Sequence, residues 1–210
     1  MTFKDRQDAA VKLASKLMHF KDRQDVIILA LPRGGVVTGY EIARILHVPL
    51  DIIIIRKIGF PGQPELAIGA VSETGYIILN EEIVSAYRVS KEYIDREIGK
   101  QKEEISRRKS LYRGGLGIPS LEGKIVILVD DGIATGATMK AAIGAVKAER
   151  VARLVVAVPV APPETAEEMM TMVDEWICLE TPYYFTAVGA FYEDFSQVSD
   201  SEVVRLLRSK

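Results

Sequence analysis

Residues 124–142, which read KIVILVDDGIATGATMKAA, constrain the fold of this chain more than any other stretch. Residues 125–129 are all β-branched or aliphatic. Such a run predicts a strand that is buried on both faces, as the strands of parallel sheets are. Two acids and a loop of small residues follow, and a helical pattern begins near Gly136. Because ligands of open α/β sheets bind just beyond the carboxyl ends of the strands, the stretch predicts an α/β fold with a binding loop here.

The loop has the composition of a phosphate site. Between Gly132 and Thr138 the side chains are small, so several backbone N–H groups can converge on one oxyanion beside the positive end of a helix dipole. Asp130 and Asp131 would repel a phosphate unless they face a hydroxyl-rich part of the same ligand or a metal ion bound with it. A ribose 5-phosphate fits this division. The alternative is structural: one acid caps the helix, and the glycines make a tight turn.

The segment VILVDDGIATGAT resembles the signature of the type I phosphoribosyltransferases, which bind phosphoribosyl pyrophosphate. The resemblance implies an α/β fold with a Rossmann-like parallel sheet flanked by helices. It also implies that Asp130 and Asp131 are catalytic residues that hold the 2′ and 3′ hydroxyls of the ribose. The 5′-phosphate would be bound by the loop residues Gly132, Ile133, Ala134, Thr135, Gly136, Ala137 and Thr138.

A second candidate loop follows the first predicted strand, residues 26–31. It contains Arg33, Gly34 and Gly35 and leads into a helical pattern. By the resemblance, this loop binds pyrophosphate through bare amides and one guanidinium. Taken alone, the sequence PRGG is also an ordinary turn.

A third candidate follows residues 50–55, which predict a strand that ends in Arg56 and Lys57. The resemblance implies that both cations lie near the pyrophosphate and that Lys57 is catalytic. It further implies that residues 60–65, rich in glycine and proline, form a lid that closes over the site. The alternative is that the two cations extend from the edge of the sheet into solvent.

The rest of the chain alternates between strand and helix patterns. Helices are predicted at residues 4–20, 81–88, 90–112, 162–173 and 201–207, and further strands at 67–71, 76–79, 154–160 and 176–179. The βαβαβ order after residue 124 predicts parallel strands with right-handed crossovers. We therefore expect one phosphoribosyltransferase domain over residues 1–210, in which 80–118 form a helical insertion or hood and 180–210 form a C-terminal segment near the base site.

The C-terminal segment is rich in aromatic residues but contains no motif that specifies their role. Aromatic residues in the C-terminal segment are candidates for stacking on the base, although such a cluster is equally typical of a satellite core or a subunit interface. These candidates are Tyr184, Phe185, Phe191 and Tyr192.

The hexapeptide FKDRQD occurs twice, starting at Phe3 and at Phe20. It is too short to be a structural repeat, and we assign it no function.

The resemblance implies an enzyme of the glycosyltransferase class, a pentosyltransferase acting in nucleotide salvage. Its substrates would be phosphoribosyl pyrophosphate and a purine or pyrimidine base. Mg²⁺ would be the cofactor, carried by the substrate and not held by the protein alone. The alternative is a non-catalytic regulator that keeps the site as a sensor of phosphoribosyl pyrophosphate.

Composition limits the partners and the compartment. The formal net charge of -2 provides no general attraction to nucleic acid or to anionic membranes. The N-terminus is too charged for a secretory signal, and no apolar run reaches the length of a membrane span. The single cysteine, Cys178, is compatible with a reducing compartment. We therefore expect a cytoplasmic protein with small-molecule partners, no nucleic acid and no membrane; a homo-oligomer stays open.

Overall fold

The computed structural model describes residues 2–209, except for the side chain of Glu65. The prediction of one domain thus includes two residues, Met1 and Lys210, that lie outside the described range. The strands are β1 Val26–Ala30, β2 Leu50–Ile52, β3 Ile55–Phe60, β4 Gln63–Ser72, β5 Ile77–Leu79, β6 Ile125–Val129, β7 Arg153–Val160 and β8 Glu175–Glu180. The helices are α1 Arg6–Lys16, α2 Gly34–Leu46, α3 Glu81–Ala86, α4 Lys91–Arg113, α5 Ala137–Lys147, α6 Pro163–Met170 and α7 Asp200–Arg208.

Five of the strands form a parallel sheet in the order β2-β1-β6-β7-β8. Every pair of neighbours in it is parallel, and helices flank the sheet, which confirms the predicted fold class. Strands β1 and β6 lie in the middle of the sheet and are buried throughout. In their register, Ala30 is paired with Val129, so the loops that follow these two strands begin side by side.

Alternate residues of the central strands face two different cores. Leu29 of β1 belongs to the core that α5 covers, whereas Ile28 packs with Leu13 and Leu17 at the N-terminal end of the chain. Because each strand is apolar on both faces, neither face of the sheet can be left in water. This double burial keeps the carboxyl ends of β1 and β6 rigidly adjacent.

A second sheet of three antiparallel strands, β3-β4-β5, corrects one prediction. The expected strand 50–55 ends at Ile52, and Arg56 and Lys57 lie within β3. The isoleucines at positions 52–55 are all buried, whether they lie in β2, in β3 or between the two strands. The apolar run therefore does not mark the point where the chain changes sheets. The expected pairing of 67–71 with 76–79 is present, with Gly69 opposite Leu79.

The predicted helices are present, with shifted ends. The first ends at Lys16 and is followed by a short 3₁₀ helix, Met18–Phe20, and the helix expected to reach residue 173 ends at Met170. Within the expected insertion, Ser90 caps α4 by accepting a hydrogen bond from the amide of Tyr93. Helix α4 packs against β3 and α7. Among residues 2–209, no helix combines the length and the apolar character needed to cross a bilayer.

Candidate functional site

The first glycine loop lies directly against the acid pair. A Cβ atom added to Gly34 would fall 1.8 Å from Asp131 Oδ2, and one added to Gly35 would fall 2.8 Å from Asp130 Oδ1. Only a residue without a side chain allows the backbone to approach the carboxylates this closely. The structure therefore brings Arg33, Gly34 and Gly35 into one site with Asp130 and Asp131, as the sequence predicts.

Asp130 is strongly perturbed by its surroundings. It is partly buried, and its Oδ1 accepts a hydrogen bond of 2.8 Å from the amide of Asp131. Burial, and then the charge of Asp131, raise the pKa of Asp130 well above its usual range. Neither acid caps the helix that follows, because the residue before α5 is Gly136 and no side chain caps that helix. The helix cap that the structural alternative assigns to one of the acids is therefore absent.

The loop after Asp131 has the form expected of an anion cradle. Gly136 adopts a left-handed conformation with φ of 76°, and a Cβ there would meet Met169 at 2.6 Å. The loop is also anchored to α6, since the hydroxyl of Thr165 donates to the carbonyl of Ala134 at 2.9 Å. Ala134 and Thr135 are exposed at the surface of the loop. The first amides of α5 thus point from an uncapped helix end toward an accessible loop.

Arg33 is held at the first loop by the C-terminal helix. Its Nη1 lies 3.9 Å from Oδ1 of Asp200, and the hydroxyl of Tyr112 donates to the same oxygen at 2.5 Å. Burial and this hydrogen bond raise the pKa of Tyr112 to about 12. The peptide bond between Pro32 and Arg33 is cis. Helices α4 and α7 therefore meet the candidate pyrophosphate loop through Asp200.

The two cations of β3 point to opposite faces of the strand, as adjacent strand residues do. Lys57 is exposed and lines a cavity of about 710 Å³ together with Thr135 and Ala137 of the central loop. Arg56 instead donates from Nε to Gln101 Oε1 at 3.0 Å, against α4. Lys57 therefore faces the central loop and Arg56 faces α4, and the expectation that both bind pyrophosphate stays a prediction.

The proposed lid is the tip of the hairpin between β3 and β4. The expected segment 60–65 spans the end of β3, a turn at Pro61 and Gly62, and the start of β4. Gly62 has a left-handed φ of 77°, and the pairing of the two strands is irregular near the tip. The side chain of Glu65 lies outside the described residues.

The four aromatic candidates have different environments. Tyr184 is 94% exposed, and Phe185 stacks on Phe191 with ring centroids 5.4 Å apart. Tyr192 is buried, and its hydroxyl donates to the backbone carbonyl of Asp131 at 2.6 Å. Burial and the nearby charge of Asp131 raise the pKa of Tyr192. Tyr192 therefore supports the acid pair from beneath and has no free face for a base.

The C-terminal segment also touches the central loop directly. Gly132 has a φ of 154°, and a Cβ there would lie 2.5 Å from Val188. Val188 begins a short 3₁₀ helix, Val188–Phe191, that leads to Tyr192. The structure thus brings the 180–210 segment beside the acids, while its role in base recognition stays a prediction.

Arg6 is a site residue that sequence reasoning missed. Its Nε donates to Asp131 Oδ2 at 2.7 Å, and its Nη1 donates to the carbonyl of Ser196 at 2.8 Å. The guanidinium carbon also lies 3.8 Å above the ring of Phe195. Arg6 stands 125 residues before Asp131 in the chain, so no local pattern could link them. Its only sequence signal is its place in the repeated hexapeptide.

Comparisons with known protein sequences identify the family of this chain. The family model of the phosphoribosyl transferase domain matches residues 4–189. Sequences from two strains of Mycobacterium tuberculosis, each provisionally named a phosphoribosyl transferase, are 42% identical over 205 residues, which is 98% of this chain and 46% of theirs. The chain therefore spans less than half the length of these curated relatives.

Two solved structures are similar to this chain in fold. The crystal structure of TT1426 from Thermus thermophilus has a TM-score of 0.83 and 41% identity, over 99% of this chain and 98% of that one. A hypoxanthine-guanine phosphoribosyltransferase from Bacillus anthracis has a TM-score of 0.50 and 15% identity, covering 88% and 85% of the two chains, which shows a shared fold alone. With the family match extending over both glycine loops and the acid pair, the chain belongs to the phosphoribosyl transferase domain family.

Proposed function

We propose that this protein transfers phosphoribose from phosphoribosyl pyrophosphate to a nitrogenous base, purine or pyrimidine, and releases pyrophosphate. The observation that carries the proposal is the contact of Gly34 and Gly35 with the carboxylates of Asp131 and Asp130. It joins a cationic, glycine-rich loop to an acid pair and an anion cradle within one site. These three parts match a ligand that carries a diol between two phosphate groups. One phosphate group fits the glycine-rich loop, the diol fits the acid pair, and the other phosphate fits the anion cradle.

Each part of the ligand has a partner of fitting chemistry. The amides of residues 132–138 bind the 5′-phosphate at the uncapped start of α5. Asp130 and Asp131 bind the ribose hydroxyls, because their carboxyl oxygens accept hydrogen bonds. Arg33 and the amides of Gly34 and Gly35 bind the pyrophosphate. Lys57 approaches from the cavity that it shares with Thr135.

The proposed cofactor is Mg²⁺, which would be carried by the substrate and not held by the protein alone. Among the residues that the structure describes, no group of three or more His, Cys, Asp or Glu side chains is placed to hold a metal ion. When bound, the ion neutralises charge on the pyrophosphate.

The chemistry requires the site to stabilise opposite charges at two places. As the bond from C1 to the pyrophosphate oxygen breaks, its electron pair leaves with the pyrophosphate and the ribose acquires oxocarbenium character. The carboxylate of Asp131 favours this positive charge, while Arg33 and Lys57 offset the negative charge on the leaving group. A nitrogen lone pair of the base then forms the new bond to C1, and the ring N–H proton of the base is released to water. Held in one orientation, the ribose presents C1 to the base without further rearrangement.

Calorimetric titration with phosphoribosyl pyrophosphate, with and without Mg²⁺, tests the site. We expect Mg²⁺-dependent binding that is lost in the double variant Asp130→Asn, Asp131→Asn. The control is Asp25→Asn, which changes an exposed acid paired with Arg23. Equal binding by the folded double variant and the wild type would refute the site.

A screen for pyrophosphate release with purine and pyrimidine bases then tests the reaction. Release with any base supports the transferase. Tight binding without turnover across the whole panel would instead favour a sensor.

A further inference from the structure

Arg6 connects three separate parts of the chain at one carboxylate. It belongs to the first turn of α1, it binds Asp131 of the central motif, and it binds the carbonyl of Ser196 in the C-terminal segment. Its side chain is only 11% exposed, and that of Asp131 is 14% exposed. A charge-assisted hydrogen bond with so little solvent around it is strong and directional.

The same contact extends to the first loop. A Cβ added to Gly34 would lie 2.9 Å from Arg6 Nε, as well as against Asp131 Oδ2. The pair of Arg6 and Asp131 therefore rests on the bare backbone of the candidate pyrophosphate loop. Movement of the Asp131 carboxylate toward that loop is blocked by backbone, and movement away is opposed by the guanidinium.

The second copy of the hexapeptide provides an internal comparison. Arg23 occupies the same position in FKDRQD as Arg6. Its partner is Asp25 in the same hexapeptide, at 2.7 Å, and both side chains are about half exposed. The equivalent of Asp25 in the first copy is Asp8, which pairs with Lys12 and leaves Arg6 to Asp131. The two arginines have identical neighbours in sequence and opposite environments.

We propose that Arg6 is a positioning residue for ribose recognition, holding the Asp131 carboxylate through Oδ2 so that its other oxygen is presented to a ribose hydroxyl. This inference rests on the proposed function. A carboxylate that is free to rotate loses orientational entropy when it binds a hydroxyl, and fixing it beforehand removes that cost.

The test compares ligands with and without ribose. We would measure affinity for phosphoribosyl pyrophosphate and for inorganic pyrophosphate, both with Mg²⁺, in wild type, Arg6→Gln, Arg6→Lys and the matched control Arg23→Gln. Arg6→Gln should lose about tenfold or more in affinity for phosphoribosyl pyrophosphate, since a hydrogen bond to a charged group is removed. Its affinity for pyrophosphate should stay within about twofold of wild type, because pyrophosphate lacks the ribose.

Arg6→Lys should fall between wild type and Arg6→Gln, since lysine keeps the charge but cannot bind Asp131 and the Ser196 carbonyl together. Arg23→Gln should match wild type with both ligands. If Arg6→Gln fails to fold, Arg6→Lys decides by the same comparison.

Three results would overturn the inference while the proposed function stands. They are unchanged affinity for phosphoribosyl pyrophosphate in the Arg6 variants, increased affinity, and an equal loss for both ligands. The first shows that the contact is not used, the second that Arg6 competes with ribose, and the third that Arg6 only maintains the fold. A wild-type protein that binds no phosphoribosyl pyrophosphate would overturn the proposed function itself.

Discussion

Gly34 and Asp131 are in contact across the site, with no room for a side chain between the backbone of one and the carboxylate of the other. The added Cβ of an alanine would meet Asp131 Oδ2 at 1.8 Å, so the carboxylate would have to move. Because a carboxylate can rotate, the displaced group is the functional one and the fold can survive. A substitution at Gly34 therefore tests the site without replacing an ionisable residue.

Gly34→Ala should weaken binding of phosphoribosyl pyrophosphate by about tenfold or more, since it displaces a charged hydrogen-bonding group. Calorimetry measures the affinity, and circular dichroism checks the fold. Gly99→Ala is the matched control, because a Cβ there meets nothing within 4 Å in helix α4. That control should bind normally and gain about 0.5–1 kcal/mol of stability. Normal binding by a folded Gly34→Ala would contradict the geometry of the site.

Asp130→Asn should stabilise the protein more at high pH than at low pH. Burial and the charge of Asp131 hold the pKa of Asp130 well above the usual value of 3.8. A group whose pKa is raised by folding stabilises the fold fully below its unfolded pKa, and that contribution is lost as pH rises through the folded pKa. The wild type should therefore lose stability relative to Asp130→Asn from about pH 4 upward. Urea denaturation of both proteins at several pH values measures this, and a constant difference would contradict it.

Tyr192→Phe should destabilise the fold and weaken ligand binding together. The change leaves the Asp131 carbonyl without the hydroxyl donor that lies 2.6 Å away, and should cost about 1 kcal/mol of unfolding free energy. Tyr184→Phe is the control, since that side chain is 94% exposed, and its unfolding midpoint should equal that of wild type. Thermal and urea denaturation provide the comparison. Equal stability of both variants would show that the hydrogen bond of Tyr192 contributes nothing.

Arg113→Met should be among the more damaging changes outside the site. Arg113, at the end of α4, pairs with Glu73, and these side chains are only 8% and 2% exposed. Burial raises the pKa of Glu73, and Arg113 opposes that shift. Removing one partner leaves a buried charge uncompensated, at a cost of about 3–5 kcal/mol.

The matched control for this change is Arg107→Met. Arg107 pairs with Glu104 on the exposed side of the same helix, where water already solvates both charges, so its loss should change stability little. Urea denaturation near neutral pH compares the two variants with wild type. Similar stabilities for the two variants would mean that the buried pair does not hold α4 to the sheet.

The central strand, the loop that follows it and the position of the acid pair between them were predictable because their signals are local. A run of apolar residues on both faces identifies a strand of a parallel sheet, and β6 spans the predicted residues, Ile125–Val129. The glycines of the first loop lie against the acid pair, and the sequence alone did not distinguish this loop from an ordinary turn. The boundary between β2 and β3 was not predictable, because the four consecutive isoleucines that span it are all buried and their pattern does not change there.

The support of the acid pair was decided by tertiary structure alone. Asp131 is held by Arg6 from the first helix and by Tyr192 from the C-terminal segment, and Arg33 by Asp200. The hexapeptide FKDRQD shows why the sequence did not predict these contacts. Its arginine binds Asp131 in the first copy and pairs with Asp25 at the surface in the second. Local sequence determines secondary structure and the chemistry that each loop offers. Which distant side chain completes a buried charge depends on how the elements pack, and that information is distributed over the whole chain.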